Sequence, residues 1–258
     1  MDLNAERYAD PDARRFEADG AYAQVLPGGR TWMLDWAFEP GRDDEAGRVL
    51  SAALAEADDG RPVQVWVREP TPAHDAVAAG LGLAPSRDLH QLRVPLPLPE
   101  PPPPLDWVPF RPGVDEEAWL VVNNRAFDWH LEQGGWGLDQ ILEEEAEPWF
   151  DPAGFVMHWV DGRLAGFCWT KIHPATGDDP VLGEIYVIGA DPDFAGRGLG
   201  GALTATGLDW MHRQRGAPVG MLYVDGDNDA AVRLYDRLGF TRHHTDRAYA
   251  PAEVDPPD

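Results

Sequence analysis

Seven prolines fall between residues 95 and 104, in the run VPLPLPEPPPPLDWVPF. Each proline fixes φ and removes a backbone donor, so this stretch can continue neither a helix interior nor a central strand and must run extended. A chain interrupted in this way folds as two halves. We place the linker at 99–106, with one domain at 1–98 and a second at 107–258. A length of 258 residues suits two domains of somewhat more than a hundred residues each. A proline-rich docking ligand is the other reading of the tract, but a short tract between two periodic segments is a spacer.

In the second half, FVMHWV (155–160), the turn Asp161-Gly162 and LAGFCWTKI (164–172) form a hairpin pattern, and GEIYVIGA (183–190) follows as a strand. After Gly198, apolar residues at Leu199, Leu203, Gly207 and Trp210/Met211 keep helical spacing. MLYV (221–224) is a buried strand. Asn228 caps a helix DAAVRLYDRL that Gly239 ends, and FTRHHTDRAYA returns as a strand.

The first half repeats the later part of this order, with TWMLDWAF, DDEAGRVLSAALAEA, VQVWV and TPAHDAVAAG as strand, helix, strand, helix. Val67 to Leu81 and Val224 to Leu238 both span 14 residues, each joining a strand end to a Leu-Gly-apolar helix exit. An internal duplication accounts for both. The expected fold class is α/β (α+β), each half a mixed twisted sheet flanked by helices.

The copies differ where chemistry would occur. Before its helix the second has Ala195-Gly196-Arg197-Gly198-Leu199-Gly200-Gly201; the first has Gly41-Arg42-Asp43-Asp44-Glu45. Glycines at a strand-to-helix turn let the backbone approach an anion, and the unpaired N–H groups of the first turn point at it. Three acids at the first copy's helix start suit the helix dipole but repel a diphosphate. The first half therefore reads as shortened and degenerate. The loop is no Walker loop, since no Gly-Lys-Ser/Thr follows. It also comes after a meander rather than after the first strand of a dinucleotide fold.

Charge and composition narrow the ligand. Forty-five acids face 21 bases, a net charge of −24 that repels nucleic acid and anionic lipid. No nucleic-acid or membrane partner is expected. The single cysteine, Cys168, cannot form an intrachain disulfide, and no apolar stretch reaches the length of a membrane span. A cytoplasmic, monomeric protein is expected. His158 and His173 lack the clustered partners of a zinc site, so no metal is expected.

The loop Ala195–Gly200, with a downstream Asn-capped helix that carries Tyr235 and leaves through Leu238-Gly239-Phe240, resembles the GNAT acetyltransferase superfamily. There the pattern Gln/Arg-x-x-Gly-x-Gly/Ala holds the diphosphate of acetyl-CoA. Both glycines match here and Ala195 replaces the first side chain, leaving the backbone donors. Four strings, VNNRAFDWHLEQGGW (122–136), FCWTKIHP (167–174), GEIYVIGADP (183–192) and LYVDGDNDAAVRLYDRLGF (222–240), are more closely similar to the two-domain GNAT enzymes that acetylate a cysteinyl amino-sugar inositol. The likeness is fainter over the first half.

The resemblance implies acetyl-CoA as co-substrate, lying on Ile188, Gly189 and Ala190, on Ala195, Gly196, Arg197, Gly198, Leu199, Gly200 and Gly201, and on Asn228, Asp229, Ala230, Ala231, Val232 and Arg233. It implies Glu184 as amine ligand and base, directly or through water, Tyr235 as proton donor to the departing thiolate, and Glu132, Lys171 and Tyr223 as contacts to a small-molecule amine. The chemistry is coherent: an α-amine with a pKa near about 8 needs only a modest carboxylate base, and a thiolate can take a proton from a phenol. A backbone N–H near Ile188 would meet charge on the carbonyl oxygen.

Each residue also has a plain structural reading. Glu184 fits the solvent face of a strand, Tyr235 a core position, Lys171 a hairpin-edge charge and Glu132 a surface acid. Cys168, mid-strand between aromatics, reads as a small buried hydrophobe. The EEEAE run (143–147) reads as a solvated helix face. A GNAT enzyme acting on another small amine, and a non-catalytic acyl-CoA-binding module, remain as alternatives.

Overall fold

The computed structural model describes residues 13–26, 31–128 and 134–252. In chain order these form β1 (Arg14–Ala18), β2 (Ala21–Leu26), β3 (Trp32–Phe38), α1 (Asp43–Glu56), β4 (Val63–Arg68), α2 (Pro72–Gly80) and β5 (Leu83–Pro95). Then come β6 (Val108–Pro109), α3 (Glu116–Ala126), α4 (Leu138–Glu145), β7 (Phe155–Val160), β8 (Arg163–His173) and β9 (Leu182–Ala190). The chain closes with α5 (Leu199–Arg215), β10 (Val219–Asp225), α6 (Asp229–Arg237) and β11 (Thr241–Pro251). Two compact units result. One takes the chain up to Gln91, Asp225–Asn228 and the residues from His243; the other takes Leu92–Val224 and Asp229–Arg242.

In the first unit the strand order is β1-β2-β3-β4-β11-β5, with β3 and β4 parallel and the pairs β1/β2, β2/β3 and β4/β11 antiparallel. Helix α1 buries Ala46, Val49, Leu50 and Ala53, the i, i+3, i+4, i+7 stripe of an amphipathic helix, against Leu34, Trp36 and Val65. Tyr249, from β11, is fully buried in that same core. The hairpin β1/β2 was not expected from the sequence, although its Asp19-Gly20 turn is the signal that marks the later one.

In the second unit the order is β5-β10-β9-β8-β7-β6. The meander β7-β8-β9 is antiparallel and β9/β10 parallel, as the alternating pattern requires. Leu203, Leu208 and Met211 of α5 pack on Val156, Cys168 and Ile185 of the sheet. Gly207 permits this close approach, since a Cβ there would lie 2.6 Å from the Cys168 Sγ. Leu96, Leu98 and Leu105, set among the prolines, pack against the same core. Helix α3 covers the other face through the aromatic cluster of Trp119, Phe155, Phe167 and Trp169.

Two irregularities in β9 shape the second unit's sheet. The ladder between β8 and β9 shifts register between Trp169 and Thr170, so that Trp169 faces Val187, Thr170 faces Ile185, and Tyr186 is the extra residue of a bulge. On its other side β9 pairs with β10 only from Leu182↔Val219 to Ile185↔Leu222. Beyond that point both strands continue, to Ala190 and Asp225, without pairing to each other. The two parallel strands thus open into a wedge.

Candidate active site

The wedge leads into the glycine loop. Gly196 and Gly198 adopt φ of 75° and 74°, the left-handed region that a side chain disfavours, and a Cβ on either would meet nothing within 4 Å. Gly198 is the N-cap of α5, whose first i→i−4 bond is Ala202 N–H to Gly198 O at 3.2 Å. The amides of Leu199, Gly200 and Gly201 therefore have no partner within the helix. No acid lies in that first turn, whereas Asp43, Asp44 and Glu45 occupy the first turn of α1. A cavity of about 460 Å³ flanks the loop, lined by Phe194, Arg197, Gly198, Leu199 and Ala202 with Asp106 and His158. The left-handed glycines and the acid-free helix start, rather than the cavity lining with its Asp106, are what fit a diphosphate. Ala195 departs from expectation: it spends its N–H on Pro192 O (3.1 Å), so the available donors begin after it.

Two acids just upstream would oppose an anion, and two arginines offset them. Arg125, at the end of α3, donates to Asp191 (2.8 Å) and Asp193 (3.1 Å), and Arg163 donates to Asp193 at 2.6 Å. Those bonds hold the Asp193 carboxyl below the usual carboxylate range. Asp191 is buried and also accepts the Asp193 N–H at 2.8 Å, closing the single turn Pro192–Phe194 that enters the loop. Sequence reasoning missed this clamp, because its acids and bases lie up to 68 residues apart.

The remaining acetyl-CoA positions fall into three groups. Ile188, Gly189 and Ala190 lie on the segment of β9 beyond its ladder with β10. Asp229, Ala230 and Arg233 are exposed on α6, with Arg233 3.5 Å from Asp229, while Ala231 and Val232 are half-buried against the core. Leu234 of α6 sits where a Cβ on Gly200 or Gly201 would meet it at 3.4 or 3.3 Å, so those glycines let α6 lie against the first turn of α5. Asn228 precedes α6 and belongs to the first unit. Tyr223 stands on β10 one residue past the last pair with β9, half-buried.

Glu184 is buried, not the solvent-facing residue of the plain alternation reading. Its Oε2 lies 2.6 Å from His173 Nε2. Lys171 is directly opposite Glu184 in register, but its ammonium lies over the rings of Trp149 (4.1 Å) and Tyr186 (5.0 Å). The Tyr186 phenol donates to Glu144 of α4, and burial holds both groups above their ordinary pKa values, the bond and Lys171 opposing this at Glu144. The acidic run is thus not wholly solvated: Glu144 faces the site. Glu145 is half-buried too, its carboxyl pushed up to about 7 by burial and by Glu116.

Tyr235 lies on the other face of the sheet. It is buried among Cys168, Leu203 and Phe240, and its phenol is pushed up to about 12 by burial and by the neighbouring Cys168. The Cys168 thiol is fully buried and its pKa is driven up, which removes it as a nucleophile. Glu184 and Tyr235 therefore start from opposite layers of the sheet. Glu132 lies outside the described residues. Among the described residues no group of three or more metal-ligating side chains occurs, and no helix is long and apolar enough to cross a membrane.

Residues 123–240 match the Acetyltransferase (GNAT) family. Mycothiol acetyltransferase of Acidimicrobium ferrooxidans is 46% identical over 224 residues, covering 83% of this chain and 72% of the relative. That of Rhodococcus jostii is 44% identical over 90% of this chain and 79% of its own, and that of Thermobispora bispora 48% over 79% and 70%. Among solved structures, a GCN5-related N-acetyltransferase from Sphaerobacter thermophilus superposes with a TM-score of 0.67 at 21% identity, covering 92% of this chain and 79% of that one. A tandem GNAT protein from the clavulanic acid biosynthesis pathway gives 0.60 at 17% identity, over 97% and 87%. At such identities these two speak for the fold alone.

Proposed function

The chain belongs to the mycothiol acetyltransferase branch of the GNAT family, and from that premise we propose that it moves an acetyl group from acetyl-CoA to the cysteine α-amine of a cysteinyl amino-sugar inositol. The observation that carries the reading is the wedge: the β9/β10 ladder ends at Ile185, next to buried Glu184, and β9 leads to a helix entered through two left-handed glycines. In this reading the amides of Gly196–Gly201 hold the diphosphate, and the β9 edge beyond its ladder at Ile188–Ala190 with the start of α6 at Asp229–Arg233 holds the rest of the co-substrate. Acetyl-CoA supplies the acyl group as an activated thioester.

Glu184 orients the amine and takes its proton; no nucleophilic side chain is needed. Backbone N–H groups on the open edge of β9 face charge on the acyl oxygen. Tyr235, protonated throughout the neutral range, donates a hydrogen bond to the departing sulfur. Lys171, Tyr223 and Glu132 bind the polar acceptor. We assign the protein to the cytoplasm as a monomer, in keeping with one buried thiol and the large negative charge.

The test is CoA release by purified protein with the cysteinyl sugar amine and with a panel of other amines. Glu184→Gln should lower kcat by about 10²- to 10⁴-fold and leave acetyl-CoA affinity unchanged. Undiminished turnover in that variant would remove Glu184 from the mechanism. Indifference to the cysteinyl sugar, with turnover of another amine, would redirect the substrate assignment.

A further inference from the structure

We propose that His173 is a positioning residue for the reaction: its Nε2–H fixes one carboxylate oxygen of Glu184 so that the other is presented to the substrate amine. The inference rests on the reading of Glu184 as base. Its ground is the contact of 2.6 Å between His173 Nε2 and Glu184 Oε2. His173 faces Leu182 across the β8/β9 ladder and Lys171 faces Glu184, so the histidine reaches the carboxylate along the diagonal. The cation directly opposite, Lys171, lies on the faces of Trp149 and Tyr186. The imidazole is the partner that meets the carboxylate at hydrogen-bond distance.

A base must be ionised, and an ionised carboxylate only accepts hydrogen bonds. Nε2 therefore carries the hydrogen of this contact. With the Glu184 side chain about 10% exposed and that of His173 34% exposed, the pair runs from the buried strand face towards water. A glutamate has three side-chain torsions; one donor on Oε2 selects the orientation in which Oε1 is free to accept the amine proton.

Four variants test this: His173→Leu, His173→Gln, Glu184→Gln and the double variant His173→Leu/Glu184→Gln, each measured for kcat with the amine, KM for the amine and Kd for acetyl-CoA. His173→Leu should lower kcat about 10- to 100-fold, the scale of a misplaced catalytic group, with acetyl-CoA affinity unchanged. His173→Gln, whose amide can donate, should return to within about 5-fold of wild type. In the Glu184→Gln background His173→Leu should cost nothing more, because it acts through the carboxylate. Wild-type kcat in His173→Leu, equal losses in the Leu and Gln variants, or a full additional loss in the double variant would each overturn the proposal. Wild-type protein that acetylates no amine would instead overturn the proposed function and this inference with it.

Discussion

Replacing Gly198 by alanine separates the strain of the loop from its service to a ligand. The residue sits at φ 74°, and a left-handed non-glycine residue costs roughly 1–2 kcal/mol. Nothing lies within 4 Å of the new methyl, so no protein contact adds to this. Gly216, at the far end of the same 17-residue helix, has φ 67° and equally open surroundings, and it lies about 27 Å away at 1.5 Å per residue. Gly216→Ala therefore bears a like backbone cost without touching the loop. At Gly198 the methyl additionally stands beside the free amides of Leu199–Gly201; losing one charge-assisted bond of about 1.5–3 kcal/mol weakens binding by roughly 10- to 100-fold. Thermal denaturation should show similar destabilisation of both variants, while calorimetric titration with acetyl-CoA should show weakened binding only in Gly198→Ala. Equal affinities in the two variants would refute the assignment of the diphosphate to this helix start.

Two further outcomes concern shifted ionisations. Tyr235→Phe should lower kcat about 10- to 100-fold with unchanged acetyl-CoA affinity. With the folded pKa raised to about 12, its contribution to stability is complete below pH 10 and is lost as pH rises towards 12, so the variant should also resist alkaline unfolding in that window; identical alkaline melts would count against a buried phenol. Glu145, raised to about 7 by burial and Glu116, has a buried Oε1 without a hydrogen-bond partner. Its protonated form favours folding below pH 4.5, and that benefit fades as pH climbs through 7. Glu145→Gln should therefore raise the melting temperature at pH 8, on the order of 2 °C, and leave it unchanged at pH 4; no difference at pH 8 would dismiss the raised ionisation of Glu145.

Local pattern made much of this legible. The hairpin at Asp161-Gly162, the strand ending at Ala190, the left-handed glycines and the helix begun at Leu199 all arise from short-range periodicity and turn chemistry. What the sequence hid depends on register. Simple alternation leaves Glu184 on a solvent face, but the strand is covered on both sides and bulged at Tyr186, which turns Glu184 and Tyr186 towards Lys171, His173 and Glu144. Pattern alone brings His173 forward only as a metal ligand, since nothing in its spacing from Glu184 announces a diagonal contact across a looped hairpin. The clamp of Arg125 and Arg163 on Asp191 and Asp193 was illegible for the same reason: ion pairs distant in sequence leave no periodic trace.

The antiparallel pairing of β11 with β4, from Tyr249↔Val65 to Asp246↔Arg68, bears on how the polypeptide matures. Tyr249 fills the core formed by residues 21–83 and hydrogen-bonds Asp75 at 2.7 Å, so the early-translated half lacks a central strand until β11 itself has left the ribosome. Vectorial synthesis thus cannot finish the amino-terminal unit first, and a nascent chain must keep an open sheet edge beside β4 shielded from foreign strands while the intervening residues are being made.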